Sequence, residues 1–353
     1  MLAGIYFSHK RKRPAKRLST EFELRRSRTI GVAIPAYQVG HHLTTVVESI
    51  PDFVDHIVII DDASTDDTPV QAAALSRTER VTVVRRDRNG GVGAAVMDGF
   101  CQLMAMDCQI MVKLDGDGQM DPACIDRLVD PLLDGWADYA KGNRLSARSD
   151  LHGMPWTRLL GSVVLTLLTK IASGYWQILD PQNGFVAITR DALERIDLHM
   201  IDNRYFFENS MLISLNMISA RCMDVRMKAA YGDERSNLSV WRVLGAFPPK
   251  LMRGLLRRIL RRYLLLDFSP IFPLLTIGGL MLVGGTVWGS YHWWLSAVTG
   301  RLATTGTVML AVLPVFTGLQ MILQALVLDI ENSRSLTVSE EVYLRDRRHV
   351  EKP

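Results

Sequence analysis

Asp115, Asp117 and Gln119 stand at alternate positions in the stretch IMVKLDGDGQMDP, directly after the apolar run 110–114. In an extended backbone, residues i, i+2 and i+4 project to one side, so two carboxylates and one amide oxygen can converge. Hard oxygen ligands of this kind suit a divalent cation that keeps room for phosphate oxygens. The intervening glycines let a bulky diphosphate approach the backbone. Taken alone, the pattern also describes a solvated Asp-Gly turn between a strand and a helix. A second acidic strand end favours the cation reading: HIVII, residues 56–60, runs straight into Asp61 and Asp62. Ligands of open α/β sheets bind outside the carboxyl ends of strands. The two acidic ends therefore point to one crevice.

Other groups sit at comparable places. Asp61 and Asp62 are suited to accept hydrogen bonds from a nucleobase or ribose, whereas Ser64, Thr65, Asp66 and Asp67 are N-cap residues for a helix over 69–76. The turn NGGVGAA, containing Gly91, lacks the G-x-G-x-x-G spacing and a Walker lysine, but its small residues leave backbone donors near the sheet edge. Arg144 follows a strand over 139–142 and could pair with a donor phosphate through two parallel hydrogen bonds. Glu208 opens an apolar helix, either as a charge favoured by the helix dipole or as an acid or base reaching the crevice. Arg235, Ser236 and Asn237, in a polar loop, together could hold an anion.

The elements needed to position these groups follow from period and punctuation. Strands are expected at 29–35, 56–60, 81–84, 110–114 and 139–142, with helices at 42–50, 69–76, 94–106 and beyond Pro122. Near-continuous apolar strands joined by short helical crossovers predict a mostly parallel sheet. DPQNGFVAI, residues 180–188, reads as a turn entering a further strand.

The second half changes character. Arg158 and Lys170 bracket 11 uncharged residues, too few to cross a bilayer, which takes about 20. The segment 156–176 reads as an amphipathic helix in the membrane interface or a buried core helix, with Trp156, Tyr175 and Trp176 favouring the interface. Beyond Pro249, Leu251, Leu255 and Ile259 recur at i, i+4 and i+8 among Arg253, Arg257, Arg258, Arg261 and Arg262, suiting an anionic membrane surface. Two uncharged apolar runs follow, about 268–291 and 303–328, each long enough to span. Trp288, Tyr291, Trp293 and Trp294 form an aromatic belt, and the basic excess before the first span marks that side as cytoplasmic. Both termini return to it.

Composition excludes more than it identifies. The 353 residues carry 41 Lys and Arg against 37 Asp and Glu, so no global charge points to nucleic acid. The basic run HKRKRPAKR, residues 9–17, lies in an expected disordered tail over 1–28 suited to anionic lipid. No signal peptide is evident. Cys101, Cys108, Cys124 and Cys222 have neither zinc nor disulfide spacing and read as packing thiols. The expected organisation is a catalytic domain over 29–238, basic juxtamembrane helices over 239–266, a two-helix hairpin over 267–330 and a cytoplasmic tail over 331–353.

With IPAY at 34–37, IIDDASTDDT at 59–68, NGGVGAA at 89–95, KLDGDGQMDP at 113–122 and QNGF at 182–185, the chain resembles glycosyltransferase family 2. It looks most like the polyprenyl-phosphate glycosyltransferases, which include dolichyl-phosphate mannose synthases and undecaprenyl-phosphate glucosyltransferases. The resemblance implies a GT-A fold, an α/β Rossmann-like domain, and inverting transfer from a UDP- or GDP-hexose to a polyprenyl phosphate. It implies that Pro35, Tyr37, Asp61, Asp62, Gly91, Asp115 and Arg144 bind the nucleotide sugar, and that Asp115, Asp117 and Gln119 hold Mg2+ or Mn2+. Asp117, Arg144 and Glu208 would be catalytic; Arg235, Ser236 and Asn183 would take the lipid phosphate. Two departures stand out: Gln38-Val39 replaces the family's Asn-Glu after Tyr37, and Ser236-Asn237-Leu238 lacks the lysine of the mannose synthases' Ser-Lys-Leu. Transfer to another lipid or lipid-linked glycan, and a non-catalytic membrane scaffold with a vestigial nucleotide site, are the competing readings. Homo-oligomerisation is left open. A processive polymer synthase is disfavoured, because Q-x-x-R-W is absent and two spans make a poor channel.

Overall fold

The computed structural model describes residues 28–144, 156–227, 240–266 and 268–332. The basic tail, Arg235, Ser236 and the end of the chain beyond 332 lie outside the described residues. Seven strands form one sheet: β1 (Ile30–Ala36), β2 (His56–Asp61), β3 (Val81–Arg85), β4 (Ile110–Lys113), β5 (Tyr139–Asn143), β6 (Val186–Thr189) and β7 (Cys222–Arg226). Their order is β3-β2-β1-β4-β6-β5-β7, parallel except that β6 runs against both β4 and β5. The mostly parallel expectation holds. β7 was not expected, because CMDVR mixes two charges with a half-buried edge and shows no clean alternation.

Helices cover both faces, as the continuous burial of β1 requires. Ile30, Val32 and Ile34 pack with α1 (Gly40–Glu48) and α4 (Ile125–Leu133). Ala33, Val58 and Ile60 pack on the other face with α3 (Val92–Ala105) and α7 (Phe207–Met217). The helices α2 (Thr68–Leu75) and α6 (Arg190–Arg195) complete the crossovers. Register puts two lysines in one row, since Lys113 and Lys141 both stand opposite Val186.

Helix α5 (Trp156–Ser173) has one buried side, with Leu165, Thr169 and Ala172, and one exposed apolar side, with Val163, Val164 and Leu167. Helix α8 (Val240–Leu260) requires a correction of phase. Leu251 is buried and Leu255 packs with it against Ile213 of α7, whereas Met252, Leu256 and Leu260, one residue further round, form the exposed apolar stripe. Arg258 and Arg262, expected at the membrane surface, are buried instead. Arg258 donates to both carboxylate oxygens of Asp329 at 2.8 and 3.0 Å, and Arg262 donates to the Asn216 carbonyl at 2.9 Å.

Two helices, α9 (Ile271–Thr299) and α10 (Thr305–Glu331), are long and apolar enough to cross a membrane. α9 continues eight residues past the expected boundary at Tyr291 and stops at Gly300, whose φ of 68° is left-handed. Gly278 and Gly318 let the pair approach closely: a Cβ on Gly278 would lie 2.9 Å from the Gly318 carbonyl. The outward positions Leu280, Val283, Val287 and Phe316 are exposed and apolar, as lipid contact requires. Asp329, near the end of α10, joins the hairpin to the sheet domain through Arg258.

Candidate active site

The carboxyl ends of β1, β2 and β4 open on a cleft of about 540 Å³. It gathers Pro35 and Tyr37 from β1 and its loop, Asp62 after β2, Gly91 before α3, and Asp115 and Asp117 after β4; Glu208 enters from the first turn of α7. These are sequence-predicted residues, brought together from five separate segments. Asp61, Gln119, Arg144 and Asn183 are not in its lining.

The first two βα loops are sewn together by polar side chains, which explains the excess of acids and hydroxyls after β2. Ser64 Oγ accepts from the Gln38 amide, Thr68 Oγ1 from Val39 and Asp66 Oδ2 from Gly40. The Asp67 side chain, expected to cap α2, makes no cap bond. At the Gln38 departure, φ is 56° and the side-chain amide donates to Thr65. Asp61 is buried; its Oδ1 accepts from Ser64 N at 2.9 Å, and its Oδ2 has no hydrogen-bond partner among the described residues, with Arg85 Nε 3.4 Å away.

Asp62 and Gly91 correct one expectation. Both face the cleft, but they bind each other: Asp62 accepts from Gly91 N at 2.8 Å, Gly90 N at 2.9 Å and Arg86 at 2.8 Å. Of the backbone donors expected to remain open at this turn, those of Gly90 and Gly91 are engaged by that carboxylate. Gly91 is required by its φ of 97° and by the loop pressed upon it, since a Cβ there would lie 2.6 Å from the Asn203 carbonyl.

Asp115 keeps about a quarter of its side chain exposed to the cleft and pairs with Lys113 Nζ at 2.6 Å. Asp117 Oδ1 accepts from Gln119 N at 3.0 Å, and Gly118 turns the chain at a φ of 74°. Two carboxylates at the cleft wall fit a hard cation, with remaining positions open to phosphate or water as Mg2+ prefers. Among the described residues, no group of three His, Cys, Asp or Glu could hold a metal. Gln119, the third expected ligand, is not in the cleft lining, which leaves Asp115 and Asp117 there as the expected ligands that could hold a cation.

Beneath the cleft lies a buried charge cluster. Lys113 is buried with its ammonium 5.6 Å from the Phe207 ring centroid. Lys141 is fully buried and donates to the Asn183 carbonyl; burial pulls its ammonium down to about 8. Burial pushes the Glu208 carboxyl up to about 7, against the opposing pull of Lys113 and Lys141. Sequence reasoning missed both lysines. A signal for Lys113 was present: it precedes Asp115 by two and so shares its side of the extended chain.

Arg144 and Asn183 are corrected as well. Arg144 sits at the end of β5, but its fork closes on Asp180, with Nε at 2.9 Å from Oδ2 and a second contact of 3.4 Å to Oδ1. The guanidinium edge expected for a diphosphate is thus engaged by a carboxylate. Asn183 is buried; its amide donates to the Gly142 carbonyl at 2.7 Å and its oxygen accepts from Phe185 N at 3.1 Å. It braces the turn of the QNGF motif against β5 and lies outside the cleft lining.

The family model of Glycosyl transferase family 2 matches residues 31–197, which hold the cleft's strand ends. The UDP-N-acetylglucosamine–dolichyl-phosphate N-acetylglucosaminyltransferase of Methanococcus voltae is 26% identical over 216 residues, covering 57% of this chain and 86% of that protein. Polyprenol monophosphomannose synthase of Mycolicibacterium smegmatis is 32% identical over 182 residues, covering 50% of this chain and 68% of the synthase. Among solved structures, glucosyl-3-phosphoglycerate synthase from Mycobacterium tuberculosis with phosphoglyceric acid superposes at a TM-score of 0.50 and 24% identity, covering 70% of this chain and 85% of that one. The last likeness concerns the fold alone, a GT-A type sheet. Its strand-end motifs assembled in one cleft and its relatives so matched, the chain belongs to glycosyl transferase family 2 and is a glycosyltransferase.

Proposed function

We propose that this glycosyltransferase moves a hexose from a UDP- or GDP-sugar to the phosphate of a polyprenyl lipid at the cytoplasmic membrane face, inverting the anomeric centre. The observation that carries this reading is a carboxylate-lined nucleotide cleft in a domain locked by Arg258 and Asp329 to an apolar hairpin. The names of the two relatives, whose acceptors are a dolichyl phosphate and a polyprenol phosphate, support it.

Pro35, Tyr37 and Asp62 form the end of the cleft suited to the nucleoside, while Asp115 and Asp117 stand where the diphosphate would lie. Mg2+ or Mn2+ bound by Asp115 and Asp117 would neutralise charge on the departing diphosphate. A lipid phosphate oxygen attacks the anomeric carbon, forming the new C–O bond as the bond to the nucleoside diphosphate breaks and its electron pair leaves with that group. The acceptor is already anionic, so no base has to remove a proton. Lys113, in the cleft wall, adds a fixed positive charge beside the diphosphate. Arg235 and Ser236 remain the proposed phosphate ligands of the acceptor.

A second reading has one observation in its favour. Glu208, with its carboxyl near 7 and its side chain on the cleft, could take the proton that a hydroxyl acceptor must lose and a phosphate need not. Transfer to a lipid-linked glycan hydroxyl would then depend on Glu208. The full chain in detergent, offered UDP-glucose, UDP-N-acetylglucosamine or GDP-mannose with undecaprenyl phosphate and either cation, should yield a lipid-linked sugar with one donor. No product from any donor overturns the proposal. Transfer to a lipid-linked glycan in place of undecaprenyl phosphate, lost in Glu208→Gln, moves the acceptor to the hydroxyl class.

A further inference from the structure

Helix α8 turns its arginines to two sides with different fates. Arg258 and Arg262 are buried among Asp329, Asn216 and Tyr263. Arg253 and Arg257 make no ion pair or hydrogen bond among the described residues. Both line a cavity of about 540 Å³ between α8 and the segment running from Leu198 into α7. A second cavity of about 440 Å³ adjoins it, sharing Met200, Ser214 and Met217, and extends past Arg261 to Leu266. In the first cavity three basic side chains of α8 face a single carboxylate, Asp202, which Lys250 already neutralises at 2.5 Å. The charge of Arg253 and Arg257 is left uncompensated there.

The depth of this groove follows from the residues beside it. Met252, Leu256 and Leu260 are about half exposed, at 56%, 53% and 48%, and each precedes a groove arginine by one position. Leu265, Leu266 and Phe268 continue the exposed apolar surface to the start of α9 at Ile271. An apolar stripe leading into a membrane helix sinks to the acyl boundary, and arginines along its edge reach the level of lipid phosphates. The groove therefore opens at headgroup height.

We propose that this groove is a binding site for the phosphodiester headgroup of an anionic membrane phospholipid, held by Arg253 and Arg257. Two adjacent guanidinium forks match the planar, multidentate recognition that phosphate oxygens allow. The acceptor lipid is a poorer occupant. The segment Asp202–Phe206 stands between groove and cleft, with Asp202 and Phe206 on one side and Arg204 and Tyr205 on the other. A phosphate in the groove cannot reach the sugar donor. The proposal rests on the hairpin lying in a membrane and not on the identity of the transfer reaction, so a binding readout keeps the two separable.

The test is a titration of the full chain in neutral detergent with fluorescent phosphatidylglycerol. Saturable binding is expected for the wild type, with Arg253→Gln/Arg257→Gln weakening it by about tenfold or more, because charge-assisted bonds to phosphate are lost. The charge-matched Arg77→Gln/Arg127→Gln, remote from the groove, should bind like the wild type, whereas Arg253→Lys/Arg257→Lys, which keeps the charge but loses the fork, should recover only part of the lost affinity. Phosphatidylcholine should bind weakly and excess inorganic phosphate should not compete. UDP binding to the groove variant should be unchanged, which reports intact folding. Equal affinity in wild type and groove variant, or an equal loss in the remote control, would overturn the site. Displacement of phosphatidylglycerol by equimolar undecaprenyl phosphate would overturn the choice of phospholipid, and competition by inorganic phosphate would overturn the choice of a lipid.

Discussion

Two carboxylates with basic partners, Asp115 with Lys113 and Asp329 with Arg258, use the same chemistry for different ends. The cleft pair is a single contact of 2.6 Å in which Asp115 retains 25% exposure. The juxtamembrane pair is bidentate, with both side chains under 10% exposed, and is enclosed by Tyr263, Asn216 and the Ile171 carbonyl, all of which bond to it. A buried pair held by three neighbours is a joint: its partners cannot be exchanged without disturbing what surrounds them. A pair left open on one side can trade its internal cation for another ligand. Position in the fold, more than residue type, decides which carboxylate is left open to a ligand.

The largest expected effect tests the open side. Asp117→Ala should lower transfer by about a thousandfold or more, on the scale of losing a group that stabilises charge in the transition state, while leaving thermal unfolding in detergent nearly unchanged. Asp115→Asn should lose activity to a similar degree but also some stability, because it leaves the buried Lys113 ammonium without its carboxylate. A variant of either residue that loses its fold along with its activity would erase the contrast.

Asp329→Ala tests the closed side. It leaves Arg258 buried without its carboxylate, and a loss of about 3 to 5 kcal/mol is expected from the midpoint of chemical denaturation. The double change Arg258→Met/Asp329→Leu should recover most of that loss, because an apolar pair of similar volume leaves no orphan charge. If the double variant is no better than the single one, the joint does more than neutralise a charge.

Glu208 gives a pH-dependent effect of smaller size. Its carboxyl is raised from 4.5 to about 7 by burial. A raised carboxyl stabilises most below its unfolded value, and that contribution is lost as pH climbs from about 4.5 to about 7, by up to ~3 kcal/mol. Glu208→Gln should therefore match the wild type near pH 4.5 and exceed it above pH 7. Asp224 is raised to about 6 and falls in the same direction in both proteins, so the difference between their denaturation midpoints isolates Glu208.

Much of the fold was legible because its signals are local. Apolar strands ending in Pro or Asp, glycines at turns and two uncharged apolar runs place six strands, the helices and the hairpin from neighbours alone. What was hidden depends on residues far apart in the chain. Arg144 meets Asp180 across 36 positions, and Asp62 meets Gly91 across 29. Neither spacing carries a signature, so both were assigned outward to ligand. The phase of α8 was ambiguous for another reason: 251, 255, 259 and 252, 256, 260 both satisfy the helical period. The deciding cue was Gly254, where a Cβ would lie 2.5 Å from Ile213 Cδ1, so the glycine marks the side that touches α7. In the site, the carboxylates were read as ligands at once, yet Lys113 passed as one more stem in an apolar strand. Its meaning lay in its parity with Asp115, two residues on.

The smallest predicted effect bears on that lysine and sharpens the comparison most. Lys113 occupies the side of Asp115 turned to the sheet, with Phe207 and Gly184 closing around it, and a cation would approach from the cleft. Both cannot draw fully on one carboxylate. Lys113→Met removes the internal competitor, so Mn2+ should bind about tenfold more tightly, or ~1.4 kcal/mol, as measured by calorimetry without donor. Arg258→Met offers no such gain, because no cleft reaches Asp329. Transfer by Lys113→Met should nonetheless fall, since the fixed charge beside the diphosphate is gone while the cation is held harder. Unchanged Mn2+ affinity would mean that Lys113 and the cation use different oxygens of Asp115. The cleft pair would then be a joint like the other, and Asp117 alone would define the exchangeable side.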